Sequence, residues 1–138
     1  MIEHPPSVVI VAVVEGGLVV VEQPRPGANG LTVELPAGCI EDGEDGLACA
    51  ARELAEECSL GAARWRSLGT FWAAPAYSTE RVEVFEAREL QTSPGVPDPD
   101  EQLTVRTLSL SELPGALSDA TSIAAFALWV TQNGEEAG

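Results

Sequence analysis

The stretch that decides the fold is residues 38–60, GCIEDGEDGLACAARELAEECSL. Apolar residues recur there at helical spacing and predict an amphipathic helix over residues 47–58. Three glutamates fall on a second face of that helix, which we expect to lie well away from the apolar stripe. The stripe consists of Leu47, Ala50, Ala51, Leu54 and Cys58, and the acidic face consists of Glu53, Glu56 and Glu57.

The acidic face has two interpretations. Carboxylates one turn apart on an exposed helix repel each other by about 0.2–0.5 kcal/mol for each pair. Arg52 can pair with Glu56 at i+4, but one arginine does not neutralise three glutamates. The face is therefore either a solvated acidic surface or a site for a hard divalent cation, which takes oxygen ligands.

The spacing of the whole stretch resembles the Nudix box, whose pattern is G, five residues, E, seven residues and REUXEEXGU, where U is aliphatic. The departure from the pattern is Ser59, which stands where a glycine would form the helix exit. We expect Gly61 to make that turn instead. The matching residues are Gly38, Glu44, Arg52, Glu53, Leu54, Glu56, Glu57 and Leu60.

This resemblance implies an α/β (α+β) fold, the Nudix α-β-α sandwich with a mixed central sheet, as one domain over residues 1–138. It also implies hydrolysis of a pyrophosphate bond with the help of Mg²⁺ or Mn²⁺. Glu44 is expected to brace the loop, and Arg52 to orient Glu56. The implied metal ligands are Glu53, Glu57, the backbone carbonyl of Ala37, and Glu56 either directly or through water, with Glu57 also required for catalysis.

Shorter stretches resemble the ADP-ribose pyrophosphatase branch of that family: QPRPG at residues 23–27, ELPAG at 34–38, PAYSTE at 75–80 and DATS at 119–122. The resemblance implies that Arg25 approaches a substrate phosphate, and that Glu34 and Tyr77 also bind substrate. Trp72 and Tyr77 have the shape to stack on a base or ribose, and core packing is the alternative for Trp72.

The general base has two candidates. In this branch it is often a glutamate on the long loop before the next-to-last strand element, where Asp98, Asp100 and Glu101 lie and Glu101 aligns best. A solvated acidic loop is the alternative interpretation of that segment. Glu80 is the second candidate, either as the base or as a metal ligand.

Composition excludes several classes of function. Seven basic residues stand against 22 acidic ones, and a net charge of −15 leaves no basic patch for nucleic acid. The most apolar segment, residues 8–21, is interrupted at Glu15 and is too short to span a membrane. Three cysteines without a C-x-x-C pair predict reduced thiols and a cytoplasmic protein. The family resemblance favours a homodimer.

The remaining chain predicts a β-β-β-α-β-β-β-α order. Continuous apolar runs at residues 7–14 and 18–22 predict strands buried on both faces, joined by a hairpin turn. Residues 23–30 predict a loop, residues 63–72 a strand pair or one bent strand, and residues 81–90 and 103–110 further strands. A short turn or helix at 111–113 is expected to end at Pro114. A last helix over 119–132 has a predicted core stripe of Ile123, Phe126, Ala127 and Val130.

These observations predict a metal-dependent pyrophosphohydrolase acting on ADP-ribose or a related nucleoside diphosphate sugar. One alternative is a Nudix hydrolase for nucleoside triphosphates or other nucleoside diphosphate derivatives. Another is a non-catalytic nucleotide sensor, a class that typically lacks some of the box glutamates. All four are present here, at Glu44, Glu53, Glu56 and Glu57.

Overall fold

A computed structural model of the chain describes residues 1–95 and 103–133. These residues form seven strands, three α-helices and a short 3₁₀ helix at Pro26–Ala28. None of the helices in this described part has the length and apolar run needed to cross a membrane. The strands are β1 (Ser7–Val14), β2 (Gly17–Arg25), β3 (Gly30–Glu34), β4 (Ala37–Cys39), β5 (Leu60–Trp72), β6 (Arg81–Thr92) and β7 (Thr104–Ser109), and the helices are α1 (Gly46–Cys58), α2 (Leu113–Ala116) and α3 (Ala120–Gln132).

β1 lies at the centre of a mixed sheet. It runs parallel to β6, with Ser7 opposite Val82 and Ala12 opposite Ala87. Its start also pairs antiparallel with β4, and its end turns through a hairpin into β2. The strand order is β3-β2-β1-β6-β5, with β4 added beside β1 and β7 beside β2. One parallel pair among antiparallel neighbours confirms the predicted mixed sheet.

The two faces of β1 bury against different helices, which confirms the predicted sandwich. Val8, Ile10 and Ala12 pack in one cluster with the buried side of α1. Val9 and Val11 pack in a second cluster with α3. All five side chains are at most 1% exposed, as expected for a continuous apolar strand covered on both faces.

The predicted stripe of α1 is partly wrong. The buried residues are Cys49, Ala50 and Leu54, whereas Leu47 is 44% exposed and Ala51 is also exposed. The acidic face is not well away from the core either: at about 100° per residue, Glu53 and Glu57 fall between Cys49 and Ala50 around the helix axis. The helix is rotated so that these two glutamates point toward β4. Periodicity alone does not fix that rotation.

The predicted stripe of α3 is also displaced. Its buried residues are Ser122, Ala125 and Trp129, and Ile123 is 49% exposed. Phe126 and Val130 pack against the core only partly. Because α3 contains no charged residue, its sequence carries no strong preference for one face. Two tertiary hydrogen bonds select the face: Trp129 Nε1 donates to Glu86 Oε2 at 2.8 Å, and the Leu35 amide donates to Ser122 Oγ at 2.9 Å.

Three local predictions need correction or refinement. Residues 23–25 belong to β2 rather than to a loop, because Gln23, Pro24 and Arg25 pair with β3. β7 pairs with β2 only as far as Glu22, so Pro24 lies where a strand tolerates a missing N–H. α2 continues through Pro114, which lies in its first turn. A backbone N–H at that position has no acceptor within the helix, so the N–H that proline lacks is not missed. β5 is one strand, with an irregular register between Ser67 and Gly69.

The rotation of α1 predicts different costs for two Leu→Ala changes on the same helix. Leu54 is fully buried, so Leu54→Ala should lower the free energy of unfolding by about 2–5 kcal/mol through lost burial and a cavity. Leu47→Ala, at a partly exposed site, should change it by about 0.5 kcal/mol or less. Urea denaturation of both variants measures the difference. Equal losses would contradict the placement of the helix.

Candidate active site

Arg52 is the centre of an ion cluster on α1. It binds Glu44 through two nitrogens, with Nε to Oε2 at 2.8 Å and Nη2 to Oε1 at 3.0 Å. Its Nη1 donates to Glu53 at 3.0 Å and to Glu56 at 3.3 Å, and its Nη2 also donates to the Cys39 carbonyl at 3.2 Å. These bonds raise the pKa of Arg52, with the Glu44 hydrogen bonds as the main cause. One arginine thus ties the helix to the preceding loop and to β4.

The loop before α1 positions Glu44 beside Arg52. Gly43 has a φ of +78°, a left-handed conformation that favours glycine. Asp45 caps the helix, since its Oδ1 accepts the Ala48 amide at 2.7 Å. The Arg52 hydrogen bonds, followed by the Glu41 amide, lower the pKa of Glu44 to about 2. Glu44 therefore braces the loop as an ionised group, in agreement with its expected role.

The helix exit differs from the expectation for Gly61. Ser59 itself adopts the left-handed conformation, with φ +56° and ψ +37°, and its amide donates to the Ala55 carbonyl at 3.0 Å. Gly61 belongs to β5 and pairs with Gln91. A serine can therefore occupy the position that favours glycine, although the left-handed backbone conformation is higher in energy for a residue with a Cβ.

Glu53 and Glu57 lie directly against β4. A Cβ added at Gly38 would overlap the carboxyl group of Glu53, so the glycine leaves room for that side chain. The Ala37 amide donates to Glu57 Oε1 at 3.0 Å. Both carboxylates are thus placed at the backbone of residues 37–38, where the resemblance implies a carbonyl ligand.

The predicted metal ligands have suitable donor chemistry but are not arranged as a ligand set. Carboxylate and carbonyl oxygens suit a hard cation such as Mg²⁺. Within residues 1–95 and 103–133, however, no group of three His, Cys, Asp or Glu side chains is placed to hold a metal ion. Glu53 and Glu56 are hydrogen bonded to Arg52, and Glu57 to Ala37. Their roles as ligands stay a prediction.

A cleft of about 300 Å³ is lined in part by β4 residues 37–39. It collects four of the residues predicted from sequence: Arg25, Glu34, Ala37 and Glu80. Tyr77 is 60% exposed and does not line this cleft. Glu101, the first candidate for the base, lies outside the described residues, as do Asp98 and Asp100. Trp72 is 54% exposed and contacts Arg81 through its ring, so the core-packing alternative for Trp72 is wrong.

Arg25 and Glu34 form a fixed ion pair in the cleft wall. Arg25 donates through Nε and Nη2 to the two carboxylate oxygens of Glu34, at 2.9 and 3.0 Å. Thr32 Oγ1 also donates to Glu34. Burial alone would raise the pKa of Glu34, but the bonds from Arg25 and Thr32 outweigh it and hold that pKa below its ordinary value. Asp119 and Glu57 are near enough to help raise the pKa of Arg25.

Sequence reasoning missed the other cleft residues. His4, Ser7 and Thr121 line it, and Ser7 Oγ donates to Glu80 Oε2 at 2.5 Å. Asp119 also lines it: Oδ2 accepts the Ser122 amide at 3.2 Å, whereas Oδ1 is buried and accepts no hydrogen bond from the described residues. The DATS motif pointed to residues 119–122 as a helix start without assigning a role. No local signal connects residues 4 and 7 to residue 80.

Burial of two thiols excludes them as nucleophiles. Desolvation raises the pKa of Cys49 and of Cys58 to about 12, so both stay protonated near neutral pH. The site can instead do chemistry with oxygen ligands and charge. Carboxylates at β4 and an arginine in the adjoining cleft suit a substrate that carries phosphate groups and binds together with a cation.

Acidification should weaken the ion cluster in a defined window. A group whose pKa is lowered by folding adds stability above its ordinary pKa, here 4.5, and loses it as the pH falls toward its folded value of about 2. The stability advantage of the wild type over Glu44→Gln should therefore be greatest above about pH 5 and shrink toward pH 2. Urea midpoints over this range measure it. An advantage independent of pH would contradict the Arg52–Glu44 pairing.

Known proteins include relatives with similar sequences. An ADP-ribose pyrophosphatase of Bacillus subtilis (strain 168) is 33% identical over 112 residues, which cover 80% of this chain and 60% of that protein. A methanol dehydrogenase activator of Bacillus methanolicus is 33% identical over 116 residues, covering 81% of this chain and 62% of that protein. The chain therefore spans about three fifths of the length of these two relatives.

A solved structure has the same fold. The crystal structure of an ADP compounds hydrolase superposes with a TM-score of 0.84 and 24% identity, covering 94% of this chain and 74% of the other. The NUDIX domain family matches residues 3–129, which include the ion cluster, β4 and the cleft. By this match over nearly its whole length, the chain belongs to the NUDIX domain family.

Proposed function

We propose that this protein hydrolyses the pyrophosphate bond of ADP-ribose or a related nucleoside diphosphate sugar, with Mg²⁺ or Mn²⁺ as cofactor. The observation that carries the proposal is the position of β4. Glu53 and Glu57 contact its backbone from α1, and the same residues 37–39 line the cleft that contains Arg25 and Glu34. The relative named ADP-ribose pyrophosphatase supports the choice of substrate.

The metal would be held at the junction of α1 and β4. Glu53, Glu56, Glu57 and the Ala37 carbonyl are the proposed ligands, because they offer only hard oxygen donors close to the cleft. A bound ion would polarise phosphoryl oxygens and lower the pKa of a water molecule. Because Arg52 donates to one oxygen of Glu53 and one oxygen of Glu56, a bound ion would share these carboxylates with the arginine. Arg52 would remain attached to Glu44 and continue to position the helix.

The chain's own residues would supply binding and proton transfer. Arg25 is proposed to contact a substrate phosphate, and its pairing with Glu34 keeps its guanidinium in a fixed orientation. Glu80 lines the cleft and is oriented by Ser7, which supports it as a candidate base. Glu101 stays the other candidate on the family resemblance. Tyr77 would need to approach from its exposed loop to stack on the substrate.

The proposal is tested with a panel of nucleoside diphosphate sugars and nucleoside triphosphates, each with Mg²⁺ and with Mn²⁺. ADP-ribose should give two phosphate monoesters, AMP and ribose 5-phosphate, which chromatography separates. Turnover of triphosphates alone would favour the broader hydrolase alternative. Absence of product from every substrate with both metals would contradict the proposed activity.

A second candidate is regulation of a dehydrogenase, supported by the name of the Bacillus methanolicus relative. It is tested by adding the protein to a methanol dehydrogenase assay, with and without Mg²⁺. Stimulation together with no turnover in the substrate panel would favour this candidate.

A homodimer and a cytoplasmic location remain parts of the proposal. The homodimer rests on the family resemblance. The location is supported by Cys39, Cys49 and Cys58, which are all free thiols, as expected in a reducing compartment.

Replacing Glu57 should abolish most turnover and leave the fold intact. Glu57→Gln keeps the shape of the side chain but removes a charged ligand, so it should also reduce any rise in melting temperature caused by millimolar Mg²⁺. Glu89→Gln is a control, since Glu89 is an exposed carboxylate on β6. Near wild-type turnover in Glu57→Gln would contradict its role.

The two base candidates predict opposite results. If Glu101 is the base, Glu101→Gln should lower kcat by about 10²–10⁴-fold while Glu80→Gln has a smaller effect. If Glu80 is the base, the order should reverse. Steady-state kinetics at saturating metal separates the cases. Full activity in both variants would contradict a glutamate base at either position.

A further inference from the structure

The N-terminal segment, residues 1–6, is attached to the loop that carries Glu80. The Ile2 amide donates to the Tyr77 carbonyl at 2.6 Å, and the Thr79 amide donates to the Ile2 carbonyl at 2.9 Å. The His4 amide donates to Thr79 Oγ1 at 2.9 Å, and that hydroxyl donates to the His4 carbonyl at 3.3 Å. His4 is therefore held by its backbone from two sides, and its ring lines the cleft.

The contacts of the His4 ring leave one nitrogen for a ligand. Nδ1 lies 2.7 Å from the Pro5 carbonyl, an acceptor only, so Nδ1 carries a proton and donates to it. Nδ1 is also 3.8 Å from Glu80 Oε2. Nε2 forms no hydrogen bond with any described residue, and the side chain is 37% exposed. In this tautomer, Nε2 is an acceptor.

Three charged residues of the cleft are poorly suited to accept a hydrogen bond from a sugar, and Glu80 is already proposed as a candidate base. Arg25 only donates, and both oxygens of Glu34 already accept from Arg25. Asp119 Oδ1 is buried, with almost no accessible surface. Among these groups, His4 combines an unused acceptor with an accessible position. A sugar hydroxyl is a donor that matches it.

We propose that His4 is a specificity-determining residue that accepts a hydrogen bond from a sugar hydroxyl of the substrate through Nε2. The inference rests on the proposed function of the same cleft. The N-terminal segment is then one wall of the binding site, held in place by Thr79. Substrates that carry a diphosphate without a sugar gain nothing from this contact.

Two variants of matched size test the contact. His4→Phe keeps a ring without an acceptor, whereas His4→Gln keeps an amide oxygen that can accept. His4→Phe should raise KM for ADP-ribose by about three- to ten-fold, the effect of losing one neutral hydrogen bond. His4→Gln should restore KM to within about two-fold of the wild type. Glu3→Gln, an exposed neighbour on the same segment, is the control for local perturbation and should leave KM unchanged.

Inhibition by pyrophosphate and the values of kcat and KM distinguish this sugar contact from a phosphate contact and from positioning through Glu80. The inhibition constant of inorganic pyrophosphate, which has no sugar, should be the same in the wild type and both His4 variants. A rise in that constant for His4→Phe would overturn the proposal in favour of a phosphate contact. A fall in kcat at unchanged KM would overturn it in favour of positioning through Glu80. An unchanged KM in His4→Phe would also overturn it.

The anchoring of the segment has its own test. Thr79→Val removes the hydroxyl that binds the His4 backbone on both sides, so it should raise KM for ADP-ribose without changing the inhibition constant of pyrophosphate. A KM equal to that of the wild type would overturn the role of this anchor. Melting temperatures identify any variant that has lost its fold.

Failure of the proposed function would be visible in the wild type alone, as absence of turnover. In that case, calorimetric titration of ADP-ribose into the wild type and His4→Phe, with Mg²⁺ present, still measures the contact. Weaker binding by His4→Phe would support the inference independently of catalysis. Equal binding, or no binding to the wild type, would overturn it.

Discussion

The interaction on which the site depends is the pairing of Arg52 with the carboxylates around it. One guanidinium binds Glu44 through two bonds and reaches Glu53 and Glu56 as well. Without this cation, the acidic side chains of α1 and the preceding loop would repel each other at close range. Because Glu44 is held on the far side of the guanidinium, the loop before α1 closes onto the helix. Arg52 also donates to the Cys39 carbonyl, which joins the cluster to β4.

β4 is short, yet it contacts both the buried strand β1 and the glutamates of α1. Its three residues pair with the start of β1, the most deeply buried strand of the sheet. Gly38 leaves room for Glu53, and the Ala37 amide binds Glu57. The same residues line the cleft. A change in the position of α1 against the sheet would therefore move the glutamates relative to the cleft, so the packing of Ala50 and Leu54 matters for the site as well as for stability.

The cleft is assembled from segments that are distant in sequence. Residues 4 and 7 come from the N-terminal segment and β1, residues 25 and 34 from the β2–β3 pair, and residues 119 and 121 from the start of α3. Its charges are only partly compensated: Arg25 is paired with Glu34, whereas Glu80 accepts from the neutral hydroxyl of Ser7. In a chain with a net charge of −15, such pairing limits how many cations remain for an anionic substrate. That shortage is a physical reason to expect a metal ion at the adjoining carboxylates.

The sequence by itself determined α1, the buried character of β1 and β2, and the family to which the residues 38–60 segment points. These follow from local spacing, because a helix repeats about every 3.6 residues and a strand buried on both faces is continuously apolar. Only the tertiary structure decided which side of α1 meets the sheet, and so turned Glu53 and Glu57 toward β4. It also decided which face of the uncharged α3 is buried, that Ser59 forms the helix exit, and that His4 joins a cleft with distant residues such as Glu80 and Asp119. These features depend on contacts between distant segments, and local periodicity carries no information about such contacts.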